Sequence, residues 1–168
     1  MFLQKQECHL LGQLSALVNS IAQLAIEIEV PRAPISGKDL ERRLYFLRSA
    51  IKRNVYRKFP EWRDSFYIPS FSSRTVVYKG QLTPHQLSHY YTDLTDPAFE
   101  SALALVHSRF STNTVPKWKL AQPFRCIAHN GEINTIQGNL NWWRAREEGL
   151  RSPFYSQDEL DTILPLCN

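Results

Sequence analysis

Cysteine is scarce in this sequence. Cys8, Cys126 and Cys167 are the three in 168 residues, widely spaced, odd in number and without a C-x-x-C pair. That excludes a disulfide framework and favours a reducing, cytoplasmic compartment. A long apolar run is also missing. The N-terminal stretch carries Lys5, is interrupted by Gln13, Ser15 and Asn19, and is followed by no clean cleavage site. Neither a signal peptide nor a membrane span is expected. Strong charge of one sign is absent too, with 20 Lys and Arg against 16 Asp and Glu for a net +4. No nucleic-acid motif accompanies that mild excess, so no nucleic-acid partner is expected. Repeats and low-complexity tracts are lacking. The "HQLSH" segment sets His85 and His89 at i and i+4, the spacing of a zinc pair. Gln86 stands where the general-base glutamate belongs and no third ligand is evident, so no metal site is expected.

What remains describes a globular chain of one domain's length. Hydrophobic residues make up 43% and aromatics 12%, enough for a sizeable core. "LLGQLSALVNSIAQLAIEIEV" opens with helical spacing and ends in the strand-like alternation of Ile26 to Val30. Ser36 and Asp39 predict a capping box for a helix through about Val55, with Leu40, Leu44, Leu47 and Ile51 on one face. The basic residues Arg42, Arg43, Arg48, Lys52, Arg53, Arg57 and Lys58 fall in the same stretch and read as a solvated helix face.

"SFYIPSFSSRTVVYKG" predicts a hairpin around a serine-rich turn, with Pro69 at an edge or bulge. Thr83, Pro84 and Gln86 predict the start of a short helix. "SALALVHSRF" suits a strand buried on both faces, and "PFRCIAHN" a further strand. A helix is predicted from Asn139 to about Glu147, and another, capped by Ser156 and Glu159, through Leu166. Strict βαβ alternation is lacking, so the residues point to an α+β or layered α/β/α architecture. The chain stops at "DTILPLCN" with no helix-stop signal beyond it, so it is expected to be an internal piece of something larger.

The candidate chemistry is uneven. Cys8 runs into a helix with no strained turn, Cys126 sits mid-strand as a small hydrophobe, and Cys167 has no base in view. Arg109 ends an apolar run and precedes "FSTNT". Its guanidinium needs a counter-anion, either an internal carboxylate or a bound one. Asn130 and Gly131 sit where a strand-like run breaks. They read first as a hairpin turn and, as the alternative, as two donors, a side-chain amide and an unshielded N–H, that could stabilise an oxyanion.

The long run "ALALVHSRFSTNTVPKWKLAQPFRCIAHNGEINTIQGN" resembles the glutaminase domain of glutamate synthase large subunits, a class II glutamine amidotransferase. The likeness extends from about Leu40 to "DELDTILPLCN", whereas residues 1–35 match weakly, so residues 1–168 are expected to form a partial amidotransferase type 2 domain. The resemblance implies an incomplete layered α/β/β/α N-terminal-nucleophile hydrolase sandwich that hydrolyses L-glutamine to glutamate and ammonia. It further implies that Arg109 and Thr112 bind the substrate's α-carboxylate and that Asn130 and Gly131 form the oxyanion hole.

The family's nucleophile is a cysteine at the mature N-terminus, usually followed by glycine, and nothing here matches it. The chain alone is therefore expected to be inactive, with a non-catalytic interaction module as the rival reading. Implied partners are the remainder of the large subunit and a small electron-transfer subunit or ferredoxin. FMN and an iron–sulfur cluster are implied elsewhere in the full-length enzyme, and no cofactor in this segment.

Overall fold

The computed structural model describes residues 34–110, 114–123 and 136–166. The chain divides into two compact units, Met1–Arg63 with Glu132–Asn168, and Asp64–Gly131.

In the first unit, helix α1 spans Gly37–Lys58, three residues longer than Val55. Ser36 is its N-cap in extended conformation but makes no side-chain cap bond. The predicted reciprocal box is absent because Asp39 instead pairs with Arg42, one turn on. The buried face also differs from expectation. Leu40, Leu44 and Leu47 are half-buried, while Phe46, Ala50, Ile51 and Val55 are buried, together with Arg48 and Ser49. The basic run is therefore only partly a solvated face. Arg48 lies over the Tyr45 ring at 5.4 Å, Arg42 over Phe154 at 3.8 Å, and Arg43 pairs with Glu159.

Helix α3, Gln137–Glu148, appears where a helix was expected. Helix α4, Gln157–Ile163, has the predicted capping box: Ser156 Oγ accepts from Glu159 N at 3.2 Å and Glu159 Oε2 from Ser156 N at 2.9 Å. It ends before Leu166 because the pyrrolidine ring of Pro165 disfavours helical geometry at Leu164, which is extended. Leu160 and Ile163 of α4 pack with Phe46 of α1, flanked by Leu150, Tyr155, Leu164 and Leu166. Tyr155 stacks on Phe46 at 6.3 Å and donates its hydroxyl to the Arg42 carbonyl at 2.8 Å. Glu147 Oε1 accepts from Leu166 N at 2.7 Å, tying α3 to the segment after α4.

The second unit contains one α-helix among its described residues. This is α2, Pro84–Tyr90, which starts at Thr83 as predicted, with Gln86 Oε1 accepting from the Thr83 N–H at 2.9 Å. The expected hairpin is present only as its turn. Ser72 Oγ accepts from the N–H groups of Arg74 and Thr75, and Ser70 Oγ from Val77 N, so serine hydroxyls hold the chain reversal.

No strand occurs among the described residues. The stretch "SALALVHSRF" forms no regular element and is almost wholly exposed, with Leu103 83% accessible, where burial on both faces was expected. A strand needs a partner chain for its ladder, and the described residues give this stretch none. The layered sandwich thus has no counterpart in the described residues. The predicted strands at Ile26–Val30 and "PFRCIAHN" lie wholly or almost wholly outside them.

Lys79 occupies the middle of this unit at 3% accessibility. Its ammonium donates to the carbonyls of Lys119 and Ala121, both at 2.9 Å, and faces the Tyr67 ring at 4.2 Å and Trp118 at 5.8 Å. Tyr91 donates its hydroxyl to the Lys79 carbonyl at 2.8 Å and packs on Tyr78. The Tyr78 hydroxyl donates to Asp93, which pushes its pKa up to about 12. Asp64 receives both Lys117 and Lys119.

Two outcomes follow from this packing. Leu160→Ala removes a side chain buried to 3% accessibility and should lower unfolding free energy by about 2–5 kcal/mol in urea titration. A change under about 0.5 kcal/mol would mean that α1 and α4 are not packed as described. The second outcome concerns pH. Hydrogen bonds from Lys119 and Lys117 hold the Asp64 carboxyl at about 2, below its ordinary 3.8. Its contribution to stability is present above 3.8 and lost as pH falls through about 2. Carboxyl carbon NMR should give that low midpoint, and Lys119→Gln should move it upward; a midpoint near 3.8 in the unaltered protein would refute the pairing.

Candidate functional site

The residues singled out for chemistry divide sharply by position. Arg109 is described: it stands exposed near the end of the irregular stretch that opens at Ser101, where Ser101 Oγ donates to the Leu103 carbonyl at 2.8 Å. Thr112, Asn130 and Gly131 lie outside the described residues, as do Cys8, Cys126 and Cys167. Arg109 has no carboxylate pair among the described residues, and its planar fork suits a bidentate carboxylate.

The described chain on both sides of these residues is firmly placed. After Thr114 it passes through extended Lys117, turns through a short 3-10 helix at Trp118–Leu120, and reaches buried Ala121. Trp118 Nε1 donates to the Ser65 carbonyl at 3.3 Å and its ring meets Tyr67 edge-on. Lys117 and Lys119 donate to the two carboxylate oxygens of Asp64. The Lys79 ammonium then holds the carbonyls of Lys119 and Ala121. Thus the backbone leading into "CIAHNGEINT" is anchored by one buried cation. The next described helix beyond that segment is α3, in the first unit.

Sequence reasoning missed Lys79. A lysine followed by Gly80 at the end of "TVVYKG" reads as a strand terminus, and the only available signal was its place among aromatic residues, Tyr67, Tyr78 and Trp118, that can face a cation. His85 and His89 are exposed, and His89 Nδ1 is 2.8 Å from the His85 carbonyl of its own helix. A ring nitrogen so engaged faces its own backbone. Among the described residues no three His, Cys, Asp or Glu side chains converge on a metal position. No described helix is long and apolar enough to cross a membrane.

Comparison with known proteins supplies what the described geometry does not. The sequence model of the class-II glutamine amidotransferases matches residues 6–168. The NADPH glutamate synthase large chain of Bacillus subtilis is 53% identical over 128 residues, covering 76% of this chain and 8% of that protein. The chloroplastic ferredoxin-dependent glutamate synthase of Oryza sativa is 52% identical over 120 residues, 71% of this chain and 7% of its own length. The NADH glutamate synthase of Saccharomyces cerevisiae is 51% identical over 123 residues, 73% of this chain and 6% of its own. The chain therefore spans less than a tenth of the length of these relatives.

The Lys79 anchor makes its own prediction. Lys79→Met keeps most of the apolar stem but leaves the Lys119 and Ala121 carbonyls without their donor. At about 1–3 kcal/mol for each orphaned acceptor, chemical denaturation should show a loss of about 2–5 kcal/mol. A variant as stable as the parent would mean that water replaces the ammonium without cost.

Proposed function

From the premise that this chain belongs to the class-II glutamine amidotransferases, we propose that it forms part of the glutaminase domain of a glutamate synthase. In this reading it takes L-glutamine to glutamate and ammonia, and the ammonia is transferred to 2-oxoglutarate in glutamate biosynthesis and ammonia assimilation. The observation that carries the reading is the match over residues 6–168, joined by about 50% identity to glutamate synthases. Those relatives use NADPH, ferredoxin or NADH by name, so the matched segment is common to enzymes with different electron donors.

The residues take roles that their chemistry suits. Arg109, an exposed guanidinium without a carboxylate pair among the described residues, receives the α-carboxylate of glutamine, with Thr112 beside it. A thiolate adds to the side-chain amide carbon, and the carbonyl π electrons move onto oxygen. The Asn130 amide and the Gly131 N–H stabilise that oxyanion. Collapse expels ammonia, which takes a proton from the nucleophile's own α-ammonium, and water then hydrolyses the thioester to glutamate. The nucleophile is a cysteine using its own α-amino group as base, a pairing that none of Cys8, Cys126 and Cys167 matches.

The fold proposed for the whole domain is the layered α/β/β/α N-terminal-nucleophile sandwich. Residues 1–168 form a partial type 2 amidotransferase domain, in a cytoplasmic enzyme whose remaining large subunit and small electron-transfer subunit or ferredoxin are its partners. FMN and the iron–sulfur cluster are assigned to that remainder.

The test is glutaminase kinetics in a chimera that sets this chain within a complete glutamate synthase large chain. Arg109 holds a group charged before and after reaction, so Arg109→Lys should raise KM for glutamine with kcat less affected. Asn130 acts where charge develops, so Asn130→Ala should lower kcat by about 10²–10³-fold with little change in KM. The reverse pattern would show the two roles to be exchanged. Unchanged kinetics in both, with Asn130→Ala losing about 1 kcal/mol of stability, would reduce Asn130-Gly131 to a turn.

A further inference from the structure

Two side chains in the C-terminal half of α1 bury polar atoms that have no partner among the described residues. Arg53 and Asn54 are adjacent, and each buries a polar atom without a hydrogen-bond partner among the described residues: the guanidinium Nη1 of Arg53 and the amide Oδ1 of Asn54. A charged donor and a neutral acceptor, both desolvated and unpaired, are costly to leave so.

Both residues line one cleft of about 670 Å³ between α1, the turn that follows it and α4. That volume lies within the range of small-molecule sites. Arg57 also lines it, so the guanidinium groups of Arg53 and Arg57 share the cleft with a single carboxylate, that of Asp161. Asp161 Oδ1 already accepts from Gln157 Nε2 at 2.9 Å, and the Thr162 hydroxyl is spent on the Asp158 carbonyl at 2.8 Å. The α4 wall therefore offers little to neutralise the α1 wall.

The charge excess calls for an anion. The orphaned Asn54 oxygen adds a second requirement, because an acceptor is satisfied only by a donor on the occupant. An oxyanion that carries no hydrogen would answer Arg53 and leave Asn54 unpaired. We infer that this cleft binds a small carboxylate bearing a hydroxyl or ammonium donor, its carboxylate on Arg53 and its donor on Asn54. The inference draws on none of Arg109, Thr112, Asn130 and Gly131, so it stands apart from the glutaminase reading.

Trp62 provides the reporter, since it adjoins Arg63 in the turn at one wall and stacks on Phe59 at 5.1 Å. L-Malate and succinate differ by one hydroxyl and form a matched pair of probes. At constant ionic strength, L-malate should shift the Trp62 indole N–H resonance of the full chain saturably, and bind several-fold tighter than succinate. Arg53→Gln should weaken malate binding at least about tenfold, as expected for loss of a charge-assisted bond. Arg57→Gln, a change at an exposed position, should weaken it as well and serves if Arg53→Gln does not fold. Asn54→Ala should erase the preference for malate over succinate. A linear, unsaturated response in the unaltered chain would overturn the inference, as would malate affinity unchanged in both arginine variants. Equal affinities for malate and succinate in the unaltered chain would overturn the donor requirement. A protein that binds neither acid, yet melts higher as Arg53→Leu/Asn54→Leu, would show the cleft to be a packing gap.

Discussion

One buried ammonium organises the second unit. Lys79 lies almost wholly out of water, and its charge is met by two carbonyl dipoles and two aromatic faces, with no carboxylate among those contacts. Such a cation is tolerable only when its donors are satisfied. The arrangement therefore selects a geometry: Lys119 and Ala121 must present their carbonyls together, which the short 3-10 turn at Trp118–Leu120 allows. Around this centre the aromatic contacts form a chain, from Trp118 and Tyr67 on one side to Tyr91, Tyr78 and Phe99 on the other. With few regular elements in this unit, a polar anchor does what a strand ladder does elsewhere.

The parts of the fold legible in the sequence are those decided within a few residues. The starts of α2 and α4 were readable because Thr83 with Gln86, and Ser156 with Glu159, satisfy orphan helix donors locally. The Ser36 box failed for an equally local reason, since Arg42 competes for Asp39. Contacts between distant residues were not legible. Nothing in α1 announces that Phe46 rather than Leu47 meets Tyr155 and Leu160, because helical spacing gives a face and the partner's shape selects within it. The exposed course of Leu103, Leu105 and Val106 marks the same limit: an apolar run states a preference for burial and does not supply its neighbour.

The candidate site was legible by a different route. Arg109, Thr112, Asn130 and Gly131 were chosen through the motifs around them, and residue chemistry alone left Arg109 divided between two anions and Asn130-Gly131 divided between turn and oxyanion hole. Lys79 escaped notice because burial is not written in a lysine. The basic run on α1 was misread on the same ground. Arg42, Arg43 and Arg48 each meet an aromatic ring or a carboxylate, so charge in the sequence was not a measure of solvation in the fold.

Glu159 belongs to two structures at once. Its Oε2 closes the first turn of α4 on Ser156, while its Oε1 receives Arg43 from α1. A seven-residue helix such as α4 is too short to persist by itself in water. Because one carboxylate serves both the helix start and the contact with α1, the two orderings are coupled: docking on α1 steadies the cap, and a formed cap aims the carboxylate at Arg43. The protein thereby turns a piece of local syntax into an agreement between segments more than a hundred residues apart along the chain, and α4 exists as a helix to the extent that α1 is there to receive it.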